Sequence, residues 1–362
     1  MEKSKRLFGK TLEELQIICK DLGFPGFTAK QIANWLYKKG VSSVAEMTNL
    51  SIKSRDILMA QYEIGLQSPD TVQESVDGTK KYLFQTAPYQ FIEAAYIPEY
   101  DRATLCVSSQ VGCKMACVFC MTGKQGFQAN LSAGEILNQV QSIPEKDALT
   151  NLVYMGMGEP LDNLEEVIKS IDILTSDWGY AWSPRRITVS TIGLMPAMKE
   201  FLDRTEVHLA VSMHSPFEEE RKKLMPIEKI HPVPEILKIL RDFEWGRQRR
   251  ISFEYIMFKG INDSPAHIKK LASQLYGFHC RLNLIRFHPI PDTSLESSDD
   301  ATIEWFRDEL TKKGIFTTTR ASRGQDILAA CGLLSTKELV SRYLSVRKEI
   351  PFLKYPNARL SK

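Results

Sequence analysis

The sequence predicts an α/β protein, a partial (βα)6 barrel preceded by a small helical N-terminal domain and a β-hairpin extension. Three patterns carry that expectation. Six strand-like runs beyond Thr104 alternate with helical ones. The first 75 residues hold two helix-start signatures, and two aromatic, β-branched runs flank Ala87-Pro88-Tyr89.

In chain order, Thr11-Leu-Glu-Glu14 and Thr28-Ala-Lys-Gln31 both match capping boxes, whose side chains satisfy the orphan amides of a helix start. After the second, Ile32, Trp35 and Leu36 share one helical face and Gly40 can end the helix. Residues 1–75 are therefore expected to be helical. Lys80–Thr86 and Gln90–Ile97 predict a hairpin within an extension over 76–100. The barrel is expected over 101–335, with strands at Thr104–Ser108, Leu152–Met155, Ile187–Thr191, His208–Ser212, Ile251–Met257 and Leu282–Phe287. Helical patterns lie between them, as where Ser132-Ala-Gly-Glu135 caps a run through Ile136 and Val140. Such alternation builds a parallel sheet with helices outside and chemistry at the C-terminal strand ends. A basic tail, 336–362, closes the chain.

Composition narrows the class. With 362 residues, 43% of them apolar and 25% charged, the chain has the make-up of a globular protein with an ample core. No apolar run approaches the ~18 residues of a transmembrane helix, so no membrane partner is expected. The basic start Met-Glu-Lys-Ser-Lys-Arg lacks the apolar core of a signal peptide, so a cytoplasmic location is expected. Seven cysteines, an odd number, then favour metal or catalytic thiols over a disulfide scaffold. A net charge of +3 permits RNA binding without demanding it.

Three cysteines stand in C-x3-C-x2-C spacing, Cys113-Lys-Met-Ala-Cys117-Val-Phe-Cys120, just after the first barrel strand. Three thiolates hold only three irons of a four-iron cube, which leaves one iron open to a small ligand. A structural zinc site would want a fourth protein ligand, but Cys106 lies seven residues upstream and the loop has no histidine. The spacing therefore predicts a [4Fe–4S] cluster with an open iron, and with it the reductive cleavage of S-adenosylmethionine (SAM).

Further candidates follow the other strands. Tyr154-Met-Gly-Met-Gly158-Glu159-Pro160 offers glycines for close backbone approach and a carboxylate suited to an ammonium group, the methionine end of SAM. Ser190-Thr-Ile-Gly193, Ser212-Met213-His214-Ser215 and His288 end later strands, where hydroxyls and imidazoles can meet ribose, carboxylate or adenine; capping of the next helix is the competing role. Cys106 ends the first strand, and Cys331 lies in Arg323-Gly-Gln-Asp326-Ile-Leu-Ala-Ala-Cys331-Gly332. Buried thiols are often inert, as expected for Cys19 and Cys280. Basic residues gather at Arg247-Gln-Arg-Arg250, at Lys3, Lys5, Arg6 and Lys10, and in the tail, which also holds Tyr343, Phe352 and Tyr355. Phosphate contacts use such charges and aromatics stack on splayed bases, although short basic runs are usually solvated surface.

The block Arg102-Ala-Thr-Leu-Cys106-Val-Ser-Ser-Gln-Val-Gly-Cys113…Cys117-Val-Phe-Cys120, with Gly-Met-Gly-Glu159-Pro and Asp326-Ile-Leu-Ala-Ala-Cys331-Gly, resembles the RlmN branch of the radical-SAM RNA methyltransferases. The resemblance runs from the N-terminal domain to Cys331. It implies a radical-SAM barrel, an RNA-binding accessory role for the N-terminal domain, and methylation of C2 of adenine 2503 in 23S rRNA and of adenine 37 in tRNA. It further implies two SAM molecules used in turn. One methylates Cys331; the other, bound at the open iron, yields a 5′-deoxyadenosyl radical that takes hydrogen from that methyl. The resulting carbon radical adds to C2. Cys106 then attacks the sulfur of Cys331, and a transient disulfide releases the base. Adenine C2 is too poor a nucleophile for direct displacement on SAM, which is why a radical is needed. Glu93, thirteen residues before Cys106, matches the family's proton acceptor, and Gly158, Glu159, Ser190, Ser212, Met213 and His214 match its SAM contacts. An external electron donor such as flavodoxin or ferredoxin and a monomeric state are implied as well. One departure stands out. The family often has Asn-Pro after the sixth strand, where this chain has His288-Pro289, and an imidazole cannot reproduce the two-ended amide pattern.

The nearest alternative is a Cfr-type enzyme methylating C8 of the same nucleotide, since it shares every catalytic thiol. An iron–sulfur electron carrier fits poorly, because it needs four ligands per cluster and no Cys106–Cys331 pair. A radical-SAM activator acting on protein backbone leaves the N-terminal domain and Cys331 without a role.

Overall fold

The computed structural model describes residues 5–246 and 248–336. Lys3, Arg247 and the tail from 337 onward, including Tyr343, Phe352 and Tyr355, lie outside the described residues.

Ten strands form one sheet: β1 Thr71–Glu74, β2 Lys80–Ala87, β3 Gln90–Pro98, β4 Ala103–Cys106, β5 Asn151–Tyr154, β6 Ile187–Thr191, β7 His208–Ser212, β8 Ile251–Met257, β9 Cys280–Arg286 and β10 Phe316–Arg320. Each pairs with its neighbour in sequence. From β4 to β10 all pairings are parallel, so the barrel has the six expected strands plus a seventh at its edge. The seventh matters, because its last residue, Arg320, leads into the segment that carries Cys331. The hairpin β2–β3 stands where the aromatic runs place it, and β3 joins β4 antiparallel with Ala95 opposite Cys106. The helical region ends at Gln61, and β1 extends the hairpin as a third strand within the 1–75 span expected to be helical.

Local signals explain most helix starts. Thr11 and Glu14 form their capping box before Leu12–Asp21, Ser132 and Glu135 form theirs before Ala133–Gln141, and Gly40 ends its helix in the left-handed region at φ 63°. Thr28 is a correction. It is buried inside Thr28–Ala33, whose cap position is Phe27 without a side-chain bond, so the expected second box does not form. The main core lies between the sheet's outer face and its helices, with Leu105, Leu152, Val189, Leu209, Phe253 and Leu284 among its fully buried residues. Among the described residues no helix is long and apolar enough to cross a membrane.

Candidate active site

The loop that follows β4 is built tightly. Gly112 takes φ 75°, and a Cβ there would meet the Gly126 carbonyl oxygen at 1.7 Å, so only glycine turns the chain toward Cys113. Cys113 and Cys117 are buried and Cys120 is half-buried. Burial pushes the Cys113 thiol up to about 12, and burial followed by the charges of Cys120 and Cys113 raises Cys117. The three sulfurs are thus close enough to feel one another. Among the described residues no three His, Cys, Asp or Glu side chains converge on a single metal-ion position. Three soft thiols on one loop, without a fourth protein donor, suit the separate corners of an iron–sulfur cube.

Gly158 and Glu159 pack against this loop. Gly158 has φ 101°, and a Cβ there would lie 2.6 Å from the Gln110 side chain. Glu159 is buried, and its carboxyl is pushed up to about 7 by that burial. Its Oε1 accepts from Leu161 N (3.1 Å) and Oε2 from Ile192 N (3.0 Å), so it bridges the ends of β5 and β6. A carboxylate has about four lone-pair sites, which leaves capacity for an ammonium donor.

Ser190 and Ser212 are half-buried on β6 and β7, and Met213 is buried beyond β7. His214 follows at φ 55°, accepts at Nδ1 from Ile256 N (3.0 Å), and sits edge-on to Phe119 of the cysteine loop at 4.8 Å. Its neutral ring therefore carries the proton on Nε2. Burial, then the Arg221 charge, brings its pKa down to about 3 from an ordinary 6.5. Between those values the unfolded chain binds a proton that the folded chain refuses, so this contribution is whole above 6.5 and shrinks as pH falls toward 3. His214→Asn keeps an acceptor and tolerates positive φ. Urea unfolding of this variant across that range should lose up to ~1.4 kcal/mol per pH unit of the wild-type slope, and an unchanged slope would show that His214 titrates normally.

Of the four cysteines outside the loop, Cys106, Cys280 and Cys331 line one cavity, and Cys106 and Cys331 are the candidate pair. Cys106 is buried and pushed up to about 12, first by burial and then by the charge of Cys331, while Arg320 opposes. Cys331 is exposed on the segment after β10. That segment is tied down on both sides of it. Ser75 Oγ donates to Asp326 (2.5 Å), Gly324 N to Asp77 (2.9 Å), Met121 N to the Gly332 carbonyl (2.8 Å) and Thr122 Oγ1 to the Leu334 carbonyl (2.7 Å). Glu93, buried on β3, accepts from Ser335 N (2.9 Å) and pairs with Lys81 Nζ (3.1 Å). Burial raises its pKa, against the pull of Lys81. Arg320 Nη1 lies 3.2 Å from the Met155 sulfur and 3.8 Å from Glu254. A cavity of about 860 Å³ is lined by Cys106, Cys120, Gly156, His288, Arg320 and Cys331.

Comparison with known proteins bears on this arrangement. Residues 107–272 match the Radical SAM superfamily, and residues 5–64 match the ribosomal RNA large subunit methyltransferase N-terminal domain. The probable dual-specificity RNA methyltransferase RlmN of Phocaeicola vulgatus is 58% identical over 91% of this chain and 95% of its own length. The dual-specificity RNA methyltransferase RlmN of Syntrophus aciditrophicus is 41% identical over 91% of this chain and 96% of its own. The chain belongs to the RlmN family. A crystal structure of a radical SAM methyltransferase from Sphaerobacter thermophilus superimposes with a TM-score of 0.85 at 37% identity, covering 91% of this chain and 99% of that one.

In this RlmN-family chain the structure brings Cys106, Cys120, His288 and Cys331 onto one cavity. Gly158, Glu159, Ser190, Ser212, Met213 and His214 lie at or beyond the ends of β5, β6 and β7, and Glu93 lies on β3. The structure also adds three that the sequence pattern does not reveal. Arg221 and Glu228 form a fully buried ion pair behind β6 and β7. Arg320 stands beside both thiols at the end of a strand that pattern alone does not disclose.

Proposed function

We propose that this chain is a radical-SAM RNA methyltransferase acting on C2 of adenine 2503 in 23S rRNA and of adenine 37 in tRNA, with the methyl carbon passing through Cys331. The observation that carries this is one cavity lined by Cys120 of the cysteine loop, Cys106 and Cys331. When bound, a [4Fe–4S] cluster on Cys113, Cys117 and Cys120 and SAM supply the one-electron chemistry and the methyl group.

The chain's own residues do the rest. Gly158, Glu159, Ser190, Ser212, Met213 and His214 hold SAM, with His214 donating from Nε2 and His288 closing the same cavity. Cys331, exposed at a tethered turn, accepts the methyl as a thioether. Once that carbon is joined to C2, the Cys106 thiolate bonds to the Cys331 sulfur and the carbon–sulfur bond breaks. Before that attack the adduct gives back the one electron the external donor supplied and passes its C2 proton to Glu93. The electron pair of the broken bond stays on the exocyclic carbon, which takes a proton from Glu93 to become the new methyl. Burial makes Glu93 a better base than an exposed glutamate. The pathway needs a reducing compartment, the cytoplasm, to regenerate the thiols, and a flavodoxin- or ferredoxin-type donor for the electron. The N-terminal domain assists RNA binding, and the chain acts as a monomer.

The test is anaerobic reconstitution with iron and sulfide, incubation with SAM, reductant and ribosomal RNA, and mass spectrometry of the digested nucleosides. 2-Methyladenosine is expected. 8-Methyladenosine would make the enzyme Cfr-type, and neither product would overturn the methyltransferase reading.

A further inference from the structure

The cavity beneath Cys331 continues down the inner faces of the strands, past Glu254, Asn283 and Thr318, to Arg102, Arg185, Arg250 and Arg281. Arg102 immediately precedes β4, Arg250 immediately precedes β8, Arg185 lies just before β6, and Arg281 is the second residue of β9. Four parallel strands therefore bring guanidinium groups to one rim at their amino ends, opposite the cysteine loop. Arg6, Arg204, Arg221, Arg286, Arg307 and Arg320 each have a carboxylate partner. Among the described residues none of the four rim arginines has an ion pair, and Glu99 is the one carboxylate lining the cavity at that end.

Two of these groups are positioned by uncharged partners, without being neutralised. Arg185 Nε donates to the Gln248 side chain (2.9 Å), and Arg281 lies over the Phe316 ring at 4.9 Å. His208 on the same rim feels the field: burial and the charges of Arg250, Arg249 and Arg185 hold it below its ordinary value. Arg249 is different in kind. It donates to the Val207 and Leu202 carbonyls and packs on Phe243 and Trp245, so only its neighbour Arg250 faces the opening. Arg281 and Ile285, which pairs with Arg320, are four residues apart on β9, or ~13 Å along the strand. That is a span for one extruded nucleotide and its flanking phosphates.

We propose that this amino-end rim is the RNA entrance of the enzyme: an adenine everted from a single-stranded loop passes up the barrel toward Cys331 while its own and neighbouring phosphates rest on Arg102, Arg185, Arg250 and Arg281. The assignment rests on the methyltransferase reading. Enzymes that modify a base take it out of the stack, and phosphate contacts set its register.

The test is equilibrium binding of the full-length, cluster-loaded protein to a tRNA anticodon stem-loop over a salt series. R185Q/R250Q/R281Q should bind roughly 10–100-fold more weakly at low salt. Its log–log salt slope should be shallower by about 2–3, since each lost single-strand or duplex phosphate contact removes about 0.7–0.9. A control triple, K199Q/K270Q/K312Q on exposed helical positions, should stay within about twofold of wild type. Should the arginine triple not fold, R250Q and R281Q singly, each flattening the slope by about 0.7–0.9, carry the test. Folded arginine variants with wild-type affinity and slope would overturn the entrance while leaving the chemistry intact. Wild-type protein that binds and methylates no RNA would instead overturn the reading beneath it.

Discussion

Cys106→Ala protein should stall within its first turnover and accumulate covalently joined to RNA through Cys331. In the folded chain Cys106 is buried at the end of β4, opposite Ala95 of the extension, and faces the same cavity as Cys331. A thiolate is the attacking species, and burial holds this thiol at about 12. Two features lower that barrier at the right moment. The charge of Cys331, the second cause of the raised value, vanishes once Cys331 is alkylated, and the Arg320 guanidinium remains to favour the Cys106 anion. Without Cys106 nothing attacks the Cys331 sulfur, and a thioether is not reduced by the exogenous thiols that break disulfides. Denaturing gels of the reconstituted variant with labelled RNA should show a protein–RNA band, with less than one 2-methyladenosine released per active site. Cys19→Ala, in the core of the N-terminal helices, should turn over normally. Free 2-methyladenosine from Cys106→Ala at the wild-type rate would remove the disulfide step.

What could be read before folding was whatever chemistry is local in sequence. The cysteine loop depends on spacings of four and three residues, and Gly158-Glu159 sits against it because both follow neighbouring parallel strands. Strands β6, β7 and β8 occupy the expected residues because their runs are apolar and β-branched. Strand β10, Phe-Thr-Thr-Thr-Arg, is as long as β6 and β7 but escapes because it is mostly polar and lacks their apolar run, and its pairing with β9 places it in the sheet. Thr28 carries the letters of a capping box, yet the helix begins one residue early and buries it, since tertiary packing outweighs about 1 kcal/mol of capping. Glu159 was legible as a candidate site residue, but not the way it joins two strand ends through backbone amides. Arg221 stands in Glu-Glu-Glu-Arg-Lys-Lys-Leu, a sequence that reads as a solvated face, and only the fold turns that one charge inward.

That inward charge underlies the second large effect. Arg221 and Glu228 have no exposed side-chain surface. Arg221 donates to the carbonyls of Ile192 (2.9 Å), Ser212 (2.9 Å) and Met213 (3.1 Å), while Glu228 Oε1 accepts from Val233 N (3.1 Å). One guanidinium therefore ties the end of β6 to the end of β7, the stretch that presents Ser212, Met213 and His214. Burial pulls its pKa down, and the Glu228 carboxylate is the main force keeping it charged. Glu228→Gln strands a buried cation, and Arg221→Met strands a buried anion and three carbonyls. Each should cost about 3–5 kcal/mol in urea unfolding. The double variant R221M/E228L should cost less than the sum, because the second change removes a charge the first has already orphaned. Loosened strand ends should also weaken SAM binding under conditions where Glu228→Gln is still folded, measured as a raised Kd by calorimetry on reconstituted protein. A Glu228→Gln protein with an unchanged unfolding midpoint would show that the pair is dispensable. Early unfolding with normal SAM affinity would confine Arg221 to stability and detach it from the geometry of the loops proposed to hold SAM.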